Sequence, residues 1–247
     1  MVSFRGRIEV APDAAAVAAA VAREFESAVW AAVGERGHAA VALAGGKTPR
    51  AAYELLAKPP LRDSIPWSRV DLFFGDERCV PPDHADSNYR MAREALLDRV
   101  PLPASRVHRM EADRADLERA AEEYESKLRA ICKAEGADPP RLDWVLLGMG
   151  ADGHTASLFP GSPLLTEVGR MVDIGPGPGG SRRMSLTLPA LNAARAVVFA
   201  ATGADKAPAL RAVLRGGAEA PPSGSVSPSQ GSLLWIVDAP LAAAAGA

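Results

Sequence analysis

Features that mark several classes of protein are missing from this 247-residue sequence. It has two cysteines, Cys79 and Cys132, and no CxxC or Cys/His spacing typical of zinc sites. No apolar run approaches the ~18–20 residues that a membrane-spanning helix needs, and the opening segment MVSFRGRIEV lacks the apolar core of a secretory signal. We therefore expect a cytoplasmic protein with no disulfide framework, no metal and no membrane contact.

A surplus of one charge is also absent. The chain has 28 basic and 30 acidic side chains and a formal net charge of −2. It therefore lacks the electrostatic footprint of a nucleic-acid-binding protein. We expect a small molecule as the binding partner and no nucleic acid, while the sequence leaves open a monomer or a small homo-oligomer.

The composition is that of an ordinary globular protein, with 48% hydrophobic and 23% charged residues. No repeat and no compositional boundary divides the chain, so we predict a single domain over residues 1–247. Two Gly/Pro/Ser-rich segments, 175–180 and 216–228, are interpreted as mobile loops within it.

Helix and strand patterns alternate along the sequence. Apolar runs predict buried strands at residues 39–44, 70–74, 142–147, 196–201 and 233–237. Helices are predicted between them, including residues 13–33 and 115–134, with Asp13, Ser87 and Asp205 as caps. This pattern indicates an α/β fold, a single three-layer domain with a mostly parallel, Rossmann-like sheet and helices on both faces.

Four of the predicted strands end in polar loops that contain glycine. Ligands of open α/β sheets bind beyond the carboxyl ends of the strands. We therefore expect the four loops to meet in one crevice, and their convergence indicates a site more strongly than any one loop does. The loops are AGGKTP, FGDER, GMGADGH and ATGADK.

The first of these loops, Gly45-Gly46-Lys47-Thr48, lies between a predicted strand and a helix N-terminus. Glycines allow backbone N–H groups to approach an anion, and the helix dipole favours negative charge there. Its spacing is neither GxxxxGK[ST] nor GxGxxG, so neither a Walker A loop nor a dinucleotide site is implied. The loop is either a phosphate site or a plain tight turn.

Two basic residues of the other loops are candidate phosphate ligands. Lys206 is predicted in the first turn of a helix, where a cation opposes the dipole unless a negative ligand is bound. Arg78 can grip a phosphate as a fork. The alternatives are an exposed lysine and a salt bridge from Arg78 to Asp76 or Glu77.

The most specific element is the segment from Gly148 to His154, GMGADGH. Histidine is the side chain best suited to proton transfer near neutral pH. Asp152, two residues earlier, can hold the tautomer of His154 or contact a substrate. The other three histidines, His38, His84 and His108, lack such a setting and are interpreted as structural.

At these residues the sequence resembles the 6-phosphogluconolactonase family, whose fold is related to that of the glucosamine-6-phosphate deaminases. The resemblance runs nearly end to end, and the segment DGHTASLFPG at 152–161 is its most specific part. The matching segments are LAGGKTP at 43–49, FGDER at 74–78, SNY at 87–89, LGMGADGHTASLFPG at 147–161, LTLPALNA at 186–193 and GADK at 203–206.

The resemblance implies a pentose-phosphate-pathway enzyme that hydrolyses 6-phospho-D-glucono-1,5-lactone without a cofactor. It implies that His154 is the general base. Whether Asp152 orients His154 or contacts a sugar hydroxyl stays open. It implies that the glycine loop, Arg78 and Lys206 hold the phosphate. One departure is Lys47, where many relatives carry serine.

Two alternatives stand beside the lactonase. The deaminases carry a segment similar to DGHIAFNEP, whose glutamate partners the histidine in ring opening, and here that position is Phe159. Asp76 matches the position of the deaminase base, so the fold alone does not separate the two activities. The second alternative is a sugar-phosphate-binding regulator. Such a protein normally has a DNA-binding segment, and we expect none in this near-neutral chain.

The oxyanion donor, the roles of Arg182 and Arg183, and closure of segment 175–180 over a substrate are left open by the sequence.

Overall fold

The computed structural model describes residues 4, 6–132, 139–217 and 219–247. Within these ranges the chain forms nine strands and eight α-helices. The strands are β1 (Arg7–Ala11), β2 (Ala39–Leu43), β3 (Val70–Phe74), β4 (Asp76–Arg78), β5 (Trp144–Leu147), β6 (Val172–Pro176), β7 (Arg182–Leu186), β8 (Ala196–Ala201) and β9 (Ser232–Asp238). The helices are α1 (Ala14–Arg36), α2 (Lys47–Leu56), α3 (Leu61–Ser64), α4 (Asn88–Ala95), α5 (Leu117–Cys132), α6 (Leu188–Ala193), α7 (Ala207–Arg215) and α8 (Ala239–Ala245).

Six strands form one parallel sheet in the order β1-β9-β8-β5-β2-β3. Every residue of β2, β3 and β5 is buried. A strand covered on both faces needs apolar side chains on both, which is why AAVAL and WVLL do not alternate with polar residues. The predicted α/β fold, with a mostly parallel sheet between helices, is confirmed.

A second sheet was not predicted. It is antiparallel, in the order β4-β7-β6. Gly175 and Pro176, assigned to a loop by their composition, belong to β6 and pair with Arg183 and Arg182. The loop prediction is therefore wrong at these two residues, and the physical reason is that β6 is an edge strand, where proline is tolerated.

Two of the three predicted caps are confirmed. The Asp13 carboxylate accepts a hydrogen bond from the Ala16 N–H at 2.8 Å and starts α1. The Ser87 hydroxyl accepts from the Arg90 N–H at 3.1 Å and starts α4. Each cap satisfies an N–H group that the first helical turn leaves without a partner.

Asp205 does not cap a helix, which corrects the third prediction. It lies inside the 3₁₀ turn Ala204–Lys206, and α7 begins only after it. A proline in the first turn of α7 suits a helix start without any cap, because its missing N–H is one that the helix would leave unbonded.

The predicted helix over 115–134 is observed as α5, ending at Cys132, and residues 133 and 134 lie outside the described residues. In the described part of the chain, no helix combines the length and apolar character needed to cross a bilayer.

Two buried tyrosines hold the carboxyl ends of neighbouring strands. The Tyr53 hydroxyl accepts from the Ala44 N–H at 2.9 Å and donates to the Ala44 carbonyl at 2.8 Å. The Tyr124 hydroxyl does the same with Phe74, at 2.7 and 3.1 Å. These bonds satisfy backbone groups just where β2 and β3 end and pairing along the strand stops.

We expect Tyr53→Phe to lower the free energy of unfolding by about 1–3 kcal/mol, because it leaves buried backbone groups at Ala44 without a partner. Urea unfolding followed by tryptophan fluorescence measures the change. Tyr89→Phe is the matched control, since the Tyr89 hydroxyl has no hydrogen bond within the described residues. Equal effects of the two variants would contradict a specific role for the Tyr53 hydroxyl.

Candidate active site

A cleft of about 270 Å³ lies at the carboxyl ends of β2, β3, β5 and β8. The chain runs from β2 outward to β3, then returns to place β5 on the other side of β2, so strand order reverses between β2 and β5. Such a reversal point is where open α/β sheets bind ligands. The lining residues are Ala44, Gly45, Gly46, Lys47, Thr48, Pro49, Asp76, Arg78, Asn88, Gly148, Met149, Gly150, His154, Ala156, Ala200 and Lys206.

The cleft brings together all four glycine-containing loops and nearly every candidate residue. Those that line it are Gly45, Gly46, Lys47, Thr48, Asp76, Arg78, His154 and Lys206. Asp152 is not in the lining and lies behind His154 instead. The structure therefore separates the two members of the predicted catalytic pair: His154 faces the cleft and Asp152 contacts its ring.

Residues 45–48 form the wall after β2. Gly46 has φ 110°, a conformation that residues with a Cβ rarely adopt. A Cβ on Gly45 would lie 2.0 Å from Oδ1 of Asn88, so only glycine allows that amide to approach. Helix α2 starts here with no side-chain cap, leaving the first N–H groups of the helix available to an anion in the cleft.

Asp76 is a buried carboxylate in the cleft wall, with 8% of its surface exposed. Asn88 Nδ2 donates to its Oδ1 at 3.1 Å, and the Ser157 hydroxyl donates to its Oδ2 at 2.6 Å. Ser157 is held in turn by Ser185 of β7, whose Oγ accepts from the Ser157 N–H at 3.2 Å. This chain of polar contacts ties the second sheet to the cleft.

Asn88 was missed as a site residue, although it belongs to the Ser87-Asn88-Tyr89 segment of the family resemblance. Its position depends on the neighbouring acid, Glu77, which is 3% exposed. The Glu77 carboxylate accepts from the N–H groups of Asn88 and Tyr89 at 2.8 Å each. It thereby anchors the start of α4 and brings the Asn88 side chain to the cleft.

Burial raises the pKa of Glu77, although backbone N–H donors oppose the shift by stabilising the charged form. The two acids of the GDER loop therefore differ in role. Asp76 faces the cleft, and Glu77 supports the helix that forms part of its wall.

Three cations surround the cleft. Lys47, Arg78 and Lys206 all line it, and within the described residues none of the three has a carboxylate ion-pair partner. The predicted alternative of a salt bridge from Arg78 to Asp76 or Glu77 is thus not observed there. Arg78 Nη1 instead donates to the Asp86 carbonyl at 2.6 Å, which leaves its other N–H groups for a ligand.

His154 is partly exposed and is held on two sides. Its Nδ1 lies 2.5 Å from Asp152 Oδ1, and its backbone N–H donates to the same oxygen at 3.1 Å. Its ring packs against Phe159, with centroids 4.6 Å apart. Partial burial raises the pKa of Asp152, but the backbone and imidazole hydrogen bonds from His154 outweigh it and hold that pKa below its usual range.

The tight turn around His154 depends on glycine. A Cβ on Gly150 would lie 2.2 Å from His154 Nδ1, and Gly153 has φ 77°. A Cβ on Gly153 would also lie 2.3 Å from Pro221, whose segment 216–228 was interpreted only as a mobile loop. Residues 221–223 of that segment pack behind the turn, and the Ser223 N–H donates to the Gly153 carbonyl at 3.0 Å.

Ala156, in the cleft wall, is the one non-glycine residue with positive φ (46°) in the described part of the chain. Such a conformation costs free energy for a residue with a Cβ and clusters at functional sites. Nothing in the sequence indicates this strain, because alanine has no special propensity for that conformation.

Across the residues described, no group of three or more His, Cys, Asp or Glu side chains could hold a metal ion.

Comparisons with known proteins agree with this geometry. The family model described as glucosamine-6-phosphate isomerases/6-phosphogluconolactonase matches residues 12–235. A 6-phosphogluconolactonase of Synechocystis sp. is 43% identical over 209 residues, covering 84% of this chain and 85% of that protein. A 6-phosphogluconolactonase of Mycobacterium tuberculosis is 41% identical over 246 residues, covering 96% and 97%.

The same relationship holds in three dimensions. The solved 6-phosphogluconolactonase of Trypanosoma brucei superposes with a TM-score of 0.87 at 31% identity, covering 98% of this chain and 99% of that one. Sequence and fold therefore agree over almost the whole length. The chain belongs to the glucosamine-6-phosphate isomerase/6-phosphogluconolactonase family.

Proposed function

We propose that this protein hydrolyses 6-phospho-D-glucono-1,5-lactone to 6-phospho-D-gluconate, a step of the pentose phosphate pathway. The observation that carries the proposal is one histidine, His154, bonded to a carboxylate in a cleft that also holds three cations. A lactone is an activated ester, so a single general base that activates water is sufficient for its hydrolysis. Relatives named 6-phosphogluconolactonase, about 40% identical, support the substrate.

The phosphate end of the cleft is formed by Arg78, Lys206 and the glycine loop. Arg78 and Lys206 supply charge, while the uncapped start of α2 supplies backbone N–H groups and a favourable dipole. Lys47 adds a further charge at the same helix start. Binding the phosphate here uses a remote part of the substrate to place the reacting carbonyl.

The base is His154, oriented by Asp152. Because the pKa of Asp152 is depressed, its carboxylate is ionised and accepts the Nδ1–H of the imidazole. The neutral ring then keeps its lone pair on Nε2, free to take a proton from water. This arrangement favours an orienting role for Asp152 over a direct contact with a sugar hydroxyl.

The reaction then needs one proton to move twice. Water attacks C1 as Nε2 of His154 takes its proton, which gives a tetrahedral intermediate. When the bond from C1 to the ring oxygen breaks, the imidazolium returns the proton to that oxygen, which becomes a hydroxyl group. The new carboxylic acid releases its own proton to solvent, and the imidazole is neutral again.

Amino-sugar deamination is the competing activity within the family. The packing of Phe159 against the His154 ring places an aromatic side chain where the deaminase pattern has a glutamate. Asp76, the counterpart of the deaminase base, is held by Asn88 and Ser157 in the cleft wall. We assign Asp76 to substrate binding, as an acceptor for a sugar hydroxyl.

The proposed activity is tested by generating the lactone in place with glucose-6-phosphate dehydrogenase. We expect its loss to exceed spontaneous hydrolysis in proportion to the amount of protein, with no ammonia formed from glucosamine-6-phosphate in a parallel reaction. Release of ammonia and fructose-6-phosphate without lactone hydrolysis would instead establish a deaminase.

We expect His154→Ala to lower kcat by about 10²- to 10⁴-fold, the usual contribution of a general base. Binding of 6-phosphogluconate, measured by calorimetry, should change little, because the phosphate ligands remain. His38→Gln is the control, since His38 precedes β2 at the end of the sheet away from the cleft. Unchanged turnover in His154→Ala would rule out its role as the base.

We expect the Asp152 carboxyl to titrate below the ordinary value of ~3.9 in a ¹³C NMR pH series, and to titrate higher in His154→Ala. Because the folded pKa is depressed, the contact stabilises the fold above pH ~4, and that contribution is lost as the pH falls through the folded pKa. An identical midpoint in both proteins would show that the His154 imidazole does not stabilise the Asp152 carboxylate, since the backbone N–H donor remains in the variant.

A further inference from the structure

Arg78 and Arg183 are directly opposite each other in the second sheet. β4 and β7 pair antiparallel, with Asp76 opposite Ser185 and Arg78 opposite Arg183. Directly opposed residues point to the same face of a sheet, with Cβ atoms about 5 Å apart. Asp76 and Arg78 line the cleft. Arg183 is not itself a lining residue, but its position opposite Arg78 puts it on the same face of the second sheet.

Arg183 lacks the contacts that a half-buried arginine normally has. Its Nε is buried without a hydrogen-bond partner, and its side chain makes no ion pair within the described residues. Burial, together with the charge of Arg78, lowers the pKa of Arg183. A buried donor without an acceptor and two opposed like charges both cost free energy, so the isolated protein gains nothing from this pair.

The ionisable groups near Arg183 do not remove this cost. Those nearby are Asp76, Cys79, Asp86 and Arg78 itself. Asp76 already accepts from Asn88 and Ser157, and burial raises the pKa of Cys79 and favours its neutral thiol. The Asp86 carboxylate is exposed and lies 3.7 Å from His84 Nδ1. Within the described residues, neither of the two carboxylates forms an ion pair with Arg78 or Arg183.

The turn that precedes β7 is shaped around Arg183. A Cβ on Gly177 would lie 2.6 Å from Arg183 Nε, so glycine at this position lets the turn pack closely over the side chain. This gives a function to part of the Gly/Pro-rich segment 175–180. Gly177 packs against the Arg183 side chain, while Pro178, Gly179 and Gly180 remain exposed.

The neighbouring residue, Arg182, shows what an ordinary arginine does on this strand. It points to the opposite face, where its Nη2 lies 2.8 Å from Glu118 of α5 at the exposed surface. The two arginines were equivalent in sequence, and alternation along the strand separates them.

We propose that Arg183 binds the phosphate of the substrate together with Arg78, as a second guanidinium group of that subsite. The inference rests on the proposed function. A phosphate dianion placed between the two groups replaces their repulsion with two attractions and supplies the missing acceptors. Arg183 would then select for the doubly charged, phosphorylated form of the substrate.

The test compares Arg183→Gln with Arg182→Gln. We expect Arg183→Gln to weaken binding of 6-phosphogluconate by about 10- to 100-fold, the loss of charge-assisted hydrogen bonds. KM should rise by a similar factor while kcat changes less, and the weak binding of gluconate, which has no phosphate, should stay the same. Arg182→Gln should leave all of these values unchanged.

A purely structural role is separated by stability and by a conservative variant. Arg183→Gln should keep or raise Tm without ligand, because it removes a repelled charge, and Arg183→Lys should bind with intermediate affinity. A loss of affinity for 6-phosphogluconate and gluconate alike, in either variant, would overturn the proposal. So would unchanged 6-phosphogluconate affinity and KM in Arg183→Gln.

The two proposals fail in different ways. If the wild-type protein hydrolyses the lactone and Arg183→Gln is unaffected, only the role of Arg183 is wrong. If the wild-type protein binds 6-phosphogluconate through Arg183 but does not hydrolyse the lactone, the subsite is correct and the reaction is not.

Discussion

The parallel pairing of β2 with β5 is the interaction on which the site depends. It sets the register of Val41 with Trp144 and of Ala42 with Val145, and so brings the loops after both strands to the same edge of the sheet. Because strand order reverses here, a crevice is left between the segments that follow the two strands, α2 after β2 and residues 148–154 after β5. The glycine loop 45–48 and the histidine turn 148–154 both line this crevice.

The second constraint is the close approach of side chains to the backbone of the cleft loops. It explains why glycine backbone forms so much of the cleft wall. Gly45 admits the Asn88 amide and Gly150 admits the His154 ring, each at a distance that no Cβ would allow. Tyrosine hydroxyls satisfy the backbone at the ends of β2 and β3, so the loops start from rigid points. A site built this way is preorganised before a ligand enters.

The second sheet adds charged and polar side chains beside the cleft of the parallel sheet. β4 carries Asp76 and Arg78, and β7 carries Ser185 and Arg183 against them. Opposed cations, an uncapped helix and the strained backbone of Ala156 all cost stability when no ligand is bound. Natural proteins keep such local conflicts mainly where function needs them, and here they surround one cleft.

The sequence by itself determined five of the six parallel strands, the caps Asp13 and Ser87, and the four loops of the cleft, because apolar runs and glycine-rich turns are local signals. Only the tertiary structure decided which side chains act together. Asp152 contacts the His154 ring instead of lining the cleft, and Glu77 positions the helix that carries Asn88. Arg183 lies opposite Arg78 in a sheet whose paired strands are about a hundred residues apart in the sequence. Pairing between distant segments leaves no periodic pattern in either segment, so composition alone assigned Gly175 and Pro176 of β6 to a loop.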